Sequence, residues 1–77
     1  MSFKPGVTGI IGKTIQHIVI KEGDRFPREQ FFLVFTDDTH YEIYSTHGGM
    51  SGAGGVDRGG IEAVRAFGRE QRIVLER

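Results

Sequence analysis

Cysteine is absent from the 77 residues, so neither disulfides nor thiolate metal centres can support a small core. The same absence fits a reducing compartment. An excess charge of either sign is also missing: ten Lys and Arg balance ten Asp and Glu, for a formal net charge of +0. Bulk attraction to nucleic acid or an anionic membrane needs a surplus of Lys and Arg, so only a local basic patch is left open. Zero net charge further removes the repulsion that keeps copies apart, which favours self-association. No run approaches the ~18 apolar residues of a membrane span. No apolar stretch follows a basic start either, so no signal peptide is expected and a cytoplasmic protein is the default. A chain this short forms one domain, residues 1–77, and buries only about 60% of its unfolded surface. Packing or oligomerisation must supply its stability.

What is present is strand-forming. Residues 1–9, with Pro5, Gly6 and Gly9, read as an arm. The β-branched run Ile15, Ile18, Val19, Ile20 predicts a strand over 14–21, with 8–13 open between helix and strand. A polar connection with Gly23 and Pro27 leads to Phe31-Phe32-Leu33-Val34-Phe35-Thr36-Asp37-Asp38-Thr39-His40-Tyr41-Glu42-Ile43-Tyr44, a β-hairpin with strands at about 30–36 and 40–46. Seven glycines in residues 47–60 predict a loop, mobile above all from Gly48 to Gly55. Ile61, Val64 and Phe67 then mark a short helix over 58–68, with Asp57 as N-cap and Gly68 at its end. Residues 71–76 close as a strand. The expected fold is α+β: a small antiparallel sheet of three to four strands with one helix, in the order β-β-β-α-β.

The hairpin register decides which side chains share a face. A two- or four-residue turn at Asp37-Asp38 pairs Phe35 with His40 and Phe31 with Tyr44. One face then carries Phe32, Val34, Tyr41 and Ile43, and the other Phe31, Leu33, Phe35, His40, Glu42 and Tyr44. A three-residue loop flips the second strand. Both faces are apolar in the first register, whereas a free-standing antiparallel sheet keeps one face polar. A two- or three-turn helix covers one face, so Phe31, Leu33, Phe35 and Tyr44 are candidates for an interface with a partner chain or ligand. The competing reading closes that face on the N-terminal segment.

Motifs for chemistry are weaker. Gly6 to Thr14 imitates a P-loop, but position 7 is Val where the pattern needs Gly. The glycine run 48–60 could cradle a phosphate, yet G-x-G-x-x-G spacing is lacking. His40, Glu42 and His47 form a candidate catalytic site, with His17 and the carboxylates Asp37 and Asp38 nearby in sequence. No tight ligand pair such as His-x-x-x-His occurs, so no metal or cofactor is expected. Ser45 and Ser51 beside His47 have nothing to orient the imidazole. Arg58, Arg65, Arg69 and Arg72 fall within about 60° on an ideal helical wheel and are the candidate anion or nucleic-acid contacts. Glu62, three residues before Arg65, pairs part of that charge.

Ile-Gly-Lys-Thr-Ile followed by Phe-Leu-Val-Phe-Thr-Asp-Asp-Thr-His-Tyr-Glu-Ile resembles the strand-plus-hairpin layout of small uncharacterised bacterial proteins, including those on integron gene cassettes and phages. The resemblance covers about residues 10–45. It implies a small, often oligomeric accessory protein and transfers no functional residue. The leading expectation is a homo-oligomeric binding module, dimeric through the aromatic hairpin face, more a binder than an enzyme. A nucleic-acid-associated protein using the arginine stripe is second, and a small enzyme with a shared site near His40 and His47 is third.

Overall fold

A computed structural model of the chain describes residues 4–25, 27–67 and 71–77. Six antiparallel strands and one short helix occur among them: β1 Ile15–Glu22, β2 Glu29–Phe35, β3 Thr39–Thr46, β4 Gly49–Gly52, β5 Asp57–Arg58, α1 Ile61–Ala66 and β6 Arg72–Glu76. The sheet runs β4-β3-β2-β1-β6, and β5 also pairs with β3. The result is a small, mostly-sheet domain. It has more strands than the three to four expected, and two of them precede the helix within the glycine-rich segment.

Those two strands correct the reading of 47–60 as a plain loop. β4 and β5 are two pieces of one edge strand along β3, since Ile43 faces Gly52 and His40 faces Asp57. Four residues, Ala53 to Val56, stand opposite only Tyr41 and Glu42, so they bulge from the ladder. The bulge is tied down: the Ala53 N–H donates to the Glu42 carbonyl, and the Tyr41 hydroxyl donates to the Ala53 carbonyl at 2.8 Å. Asp57 is therefore a strand residue and not the N-cap. Gly60 takes the cap position without a side-chain hydrogen bond, and the helix spans 61–66 rather than 58–68. Gly68 lies outside the described residues.

The hairpin turns through three residues, Thr36, Asp37 and Asp38. Asp38 adopts φ 65°, the left-handed residue that completes a type I turn with a bulge. Asp37 stabilises the turn by accepting from Thr39 and pairing with Lys13. Val34 thus pairs with His40, Leu33 with Tyr41, Phe32 with Glu42, Phe31 with Ile43 and Gln30 with Tyr44. This is the flipped register: the one-residue difference in loop length moves every β3 side chain to the other face.

The open region 8–13 resolves as the end of a 3₁₀ helix, Pro5–Ile10, and the turn after it. Pro5 opens that helix because its missing N–H would be unpaired there anyway. Gly6 lies so close to the glycine bulge that a Cβ on it would run into the Gly54 carbonyl. The arm therefore closes against residues 54–56. No helix among the described residues is long and apolar enough to cross a membrane.

Candidate functional site

Register assigns each side chain to a face. On the α1 face stand His17, Val19 and Lys21 of β1, Gln30, Phe32 and Val34 of β2, and His40, Glu42 and Tyr44 of β3. The core forms here: Val19, Phe32, Val34 and Val64 are buried together, with Ile61 packed against them. Phe67 meets the Phe32 ring edge-on at 5.6 Å. Phe32 also contacts the His40 ring at 6.0 Å, and His40 Nδ1–H donates to the Gly59 carbonyl at 2.8 Å. His40 is thereby committed to holding β3 against the glycines that precede α1.

Beneath the end of α1 lies a buried polar group the sequence did not reveal. Lys21 is 1% exposed. Its ammonium donates to the Val64 and Phe67 carbonyls, reaches the Arg65 carbonyl at 3.5 Å, and sits 5.4 Å from the Phe32 ring centroid. Burial lowers its pKa, and the Glu42 carboxylate partly opposes that shift. Gln30 donates to Glu42 at 2.6 Å, while its own buried carbonyl has no hydrogen-bond partner among the described residues. The only advance signal was a Lys at an inward position two residues after Val19.

The opposite face carries Ile15, Ile18 and Ile20 of β1, Phe31, Leu33 and Phe35 of β2, Tyr41 and Ile43 of β3, and Leu75 of β6. The chain covers this face unevenly. Phe35 and Tyr41 are buried. Ala53 reaches the Tyr41 hydroxyl, and the Lys13 ammonium lies 5.6 Å from the Phe35 ring centroid. Burial raises the Tyr41 pKa. Beyond that region Ile20, Phe31, Leu33 and Ile43 are only half-buried, Ile18 is 38% exposed and Ile15 is 50% exposed. The helix therefore covers the more polar face, and the more apolar face stays partly open.

The expected interface set divides accordingly. Phe31 and Leu33 lie on the open strip. Phe35 is on the same face but already buried within its own chain. Tyr44 stands on the α1 face opposite Gln30, a consequence of the three-residue turn. Ile18, Ile20 and Ile43 join the strip, and only the reserve register could have placed Ile43 there.

The arginine stripe does not form as a helical feature. Arg58 is on β5, Arg65 on α1 and Arg72 on β6, while Arg69 lies outside the described residues. Arg65 is engaged by two carboxylates, Glu76 at 2.6 and 3.1 Å and Glu62. Glu76 above all raises its pKa, and Arg65 in turn lowers that of Glu76. His40 and Glu42 share the α1 face at alternate positions, but His47 follows the far end of β3, about 23 Å from His40 along an extended strand. No three His, Asp or Glu among the described residues converge as a metal site would require. These features define a small antiparallel-sheet domain with one face helix-covered and one partly open. No protein-family model, curated protein or solved structure matches the chain.

Proposed function

We propose that the chain is a cytoplasmic, self-associating interaction module, a homodimer that packs through Ile18, Ile20, Phe31, Leu33 and Ile43. The observation that carries this reading is the inverted cover, with the helix on the more polar face and the apolar strip left open. A second copy suits the strip because two neutral molecules do not repel, and a two-fold contact sets an apolar patch against itself. Pairing through the sheet edges is less favoured. β6 carries a register shift against β1 and begins and ends on the charged residues Arg72 and Glu76, while β4 has four residues, two of them glycine. The nucleic-acid reading loses support because Arg65 already has two carboxylate partners.

Sedimentation of the wild-type chain and of Leu33→Glu tests the reading. The wild type should sediment as a dimer at micromolar concentration. Leu33→Glu should give a folded monomer, because the half-buried site lets the carboxylate reach water once the partner leaves. Phe35→Glu is unsuitable, since that side chain is buried within one chain. A folded wild-type monomer at micromolar concentration refutes the proposal.

A further inference from the structure

The second inference concerns α1 and is independent of the dimer face. Six residues do not hold a helix by themselves, because nucleation costs more than so few hydrogen bonds return. Among the described residues, α1 is held by Val64 in the core with Ile61 packed against it, Phe67 on Phe32, Arg65 to Glu76, and the Lys21 ammonium on the terminal carbonyls. Gly59 and Gly60 precede it. Gly59 has φ 104°, and a Cβ on Gly60 would come within 2.6 Å of Asp38 Oδ1. The helix thus enters through two glycines and ends on a buried cation.

We propose that α1 is a flap that opens independently of the sheet and that the Lys21 ammonium is its catch. Lys21 is a positioning residue: its stem belongs to β1, and its charge acts on the flap. With the ammonium in place, the Val64 and Phe67 carbonyls at the end of α1 are tied to β1 inside the protein. Without it, the Val64 carbonyl keeps only the 3.3 Å bond from the Phe67 N–H, the part-buried Phe67 carbonyl turns to water, and the end of α1 loses its tie to β1. Lifting bares Val19, Phe32 and Val34, a second apolar surface on the side away from the open strip.

Amide exchange on the full chain, wild type against Lys21→Met, decides the matter. Methionine keeps the unbranched stem and removes the charge, and replacing a buried ion by an apolar group need not destabilise the sheet. In the wild type the Val64 and Phe67 amides should exchange at least ~10-fold faster than the core amides of β1–β3, through openings that depend little on urea. Lys21→Met should accelerate those two amides by a further ~10-fold and leave β1–β3 unmoved. Exchange of Val64 and Phe67 at the sheet's rate and urea slope in the wild type overturns the proposal by itself. Equal acceleration of helix and sheet in Lys21→Met overturns it too, as does a variant that fails to fold, because a catch on a flap is dispensable to the sheet.

Discussion

Gly6→Ala should release the N-terminal arm from the glycine bulge. A Cβ at position 6 would collide with the Gly54 carbonyl and lie 2.9 Å from the Gly55 nitrogen, inside the 3.0 Å that real Cβ atoms essentially never show. Both obstacles are backbone, so no rotamer relieves the clash and one segment must move. The 3₁₀ helix buries no residue completely, whereas the bulge is bonded to Tyr41 and Glu42. The arm should therefore yield. Overpacking of this kind costs about 1–3 kcal/mol. Set against the roughly 4–12 kcal/mol expected for a domain of this size, that is a sizeable share of its stability, and a Tm lower by roughly 5–20 °C. Two controls separate the clash from a generic loss of glycine. Among the described residues Gly48→Ala meets nothing within 4 Å, and Gly54→Ala meets only the flexible Lys4 stem, at Cδ, at 3.7 Å. Both should stay within about 0.5 kcal/mol of the wild type. Urea unfolding gives the energies, and amide shifts of residues 53–55 report the displacement. Wild-type stability and unchanged shifts in Gly6→Ala would refute the proposed packing.

Two further outcomes follow from the turn and its charges. Asp38→Val should cost about 1–2 kcal/mol by urea unfolding, because a β-branched residue is strained at φ 65°, while Asp38→Gly should be tolerated; equal stability of the two variants would contradict the turn geometry. The Lys13 and Thr39 hydrogen bonds lower the Asp37 pKa, and Arg65 lowers that of Glu76. The folded state then binds fewer protons than the unfolded one, so this contribution is full above the ordinary carboxylate range and is lost as pH falls through the lowered values. Urea midpoints measured from about pH 6 down to pH 2 should decline less steeply in Asp37→Asn and Glu76→Gln than in the wild type. Parallel curves would show that these pairs do not form.

The long strands were legible because their residues carry a period-two, β-branched pattern that neighbouring elements do not override. Ile15 to Ile20 and Phe31 to Phe35 lie within a residue of their expected places. The register was not legible, because it turns on whether Asp38 sits in the left-handed region, and Asp-Asp-Thr allows two loop lengths. That single ambiguity moved Tyr44 off the proposed interface and Ile43 onto it. β4 and β5 were hidden for another reason: seven glycines supply no side-chain pattern, and it is pairing to β3 that orders them. The helix was expected to be longer, because Asp57 offers a good cap in isolation but is drawn into the ladder opposite His40. The role of Lys21 is not legible because a strand lysine normally faces water, and only the position of α1 gives its charge buried partners.

The inverted cover has a physical cause in the needs of the helix. A six-residue helix has more unpaired end groups than internal hydrogen bonds, so it can rest only where the sheet offers partners. The α1 face offers them. Lys21 supplies donors at the C-terminal end, His40 holds the Gly59 carbonyl at the N-terminal end, and Glu42, fixed by Gln30, offsets the buried ammonium. The opposite face has no such groups on Ile18, Ile20, Phe31, Leu33 or Ile43, and a short helix docked there would leave its end carbonyls unpaired against hydrocarbon. What that face can accept is a surface that asks for no hydrogen bonds. The same face of a second copy, whose backbone groups are already paired within its own sheet, meets that requirement.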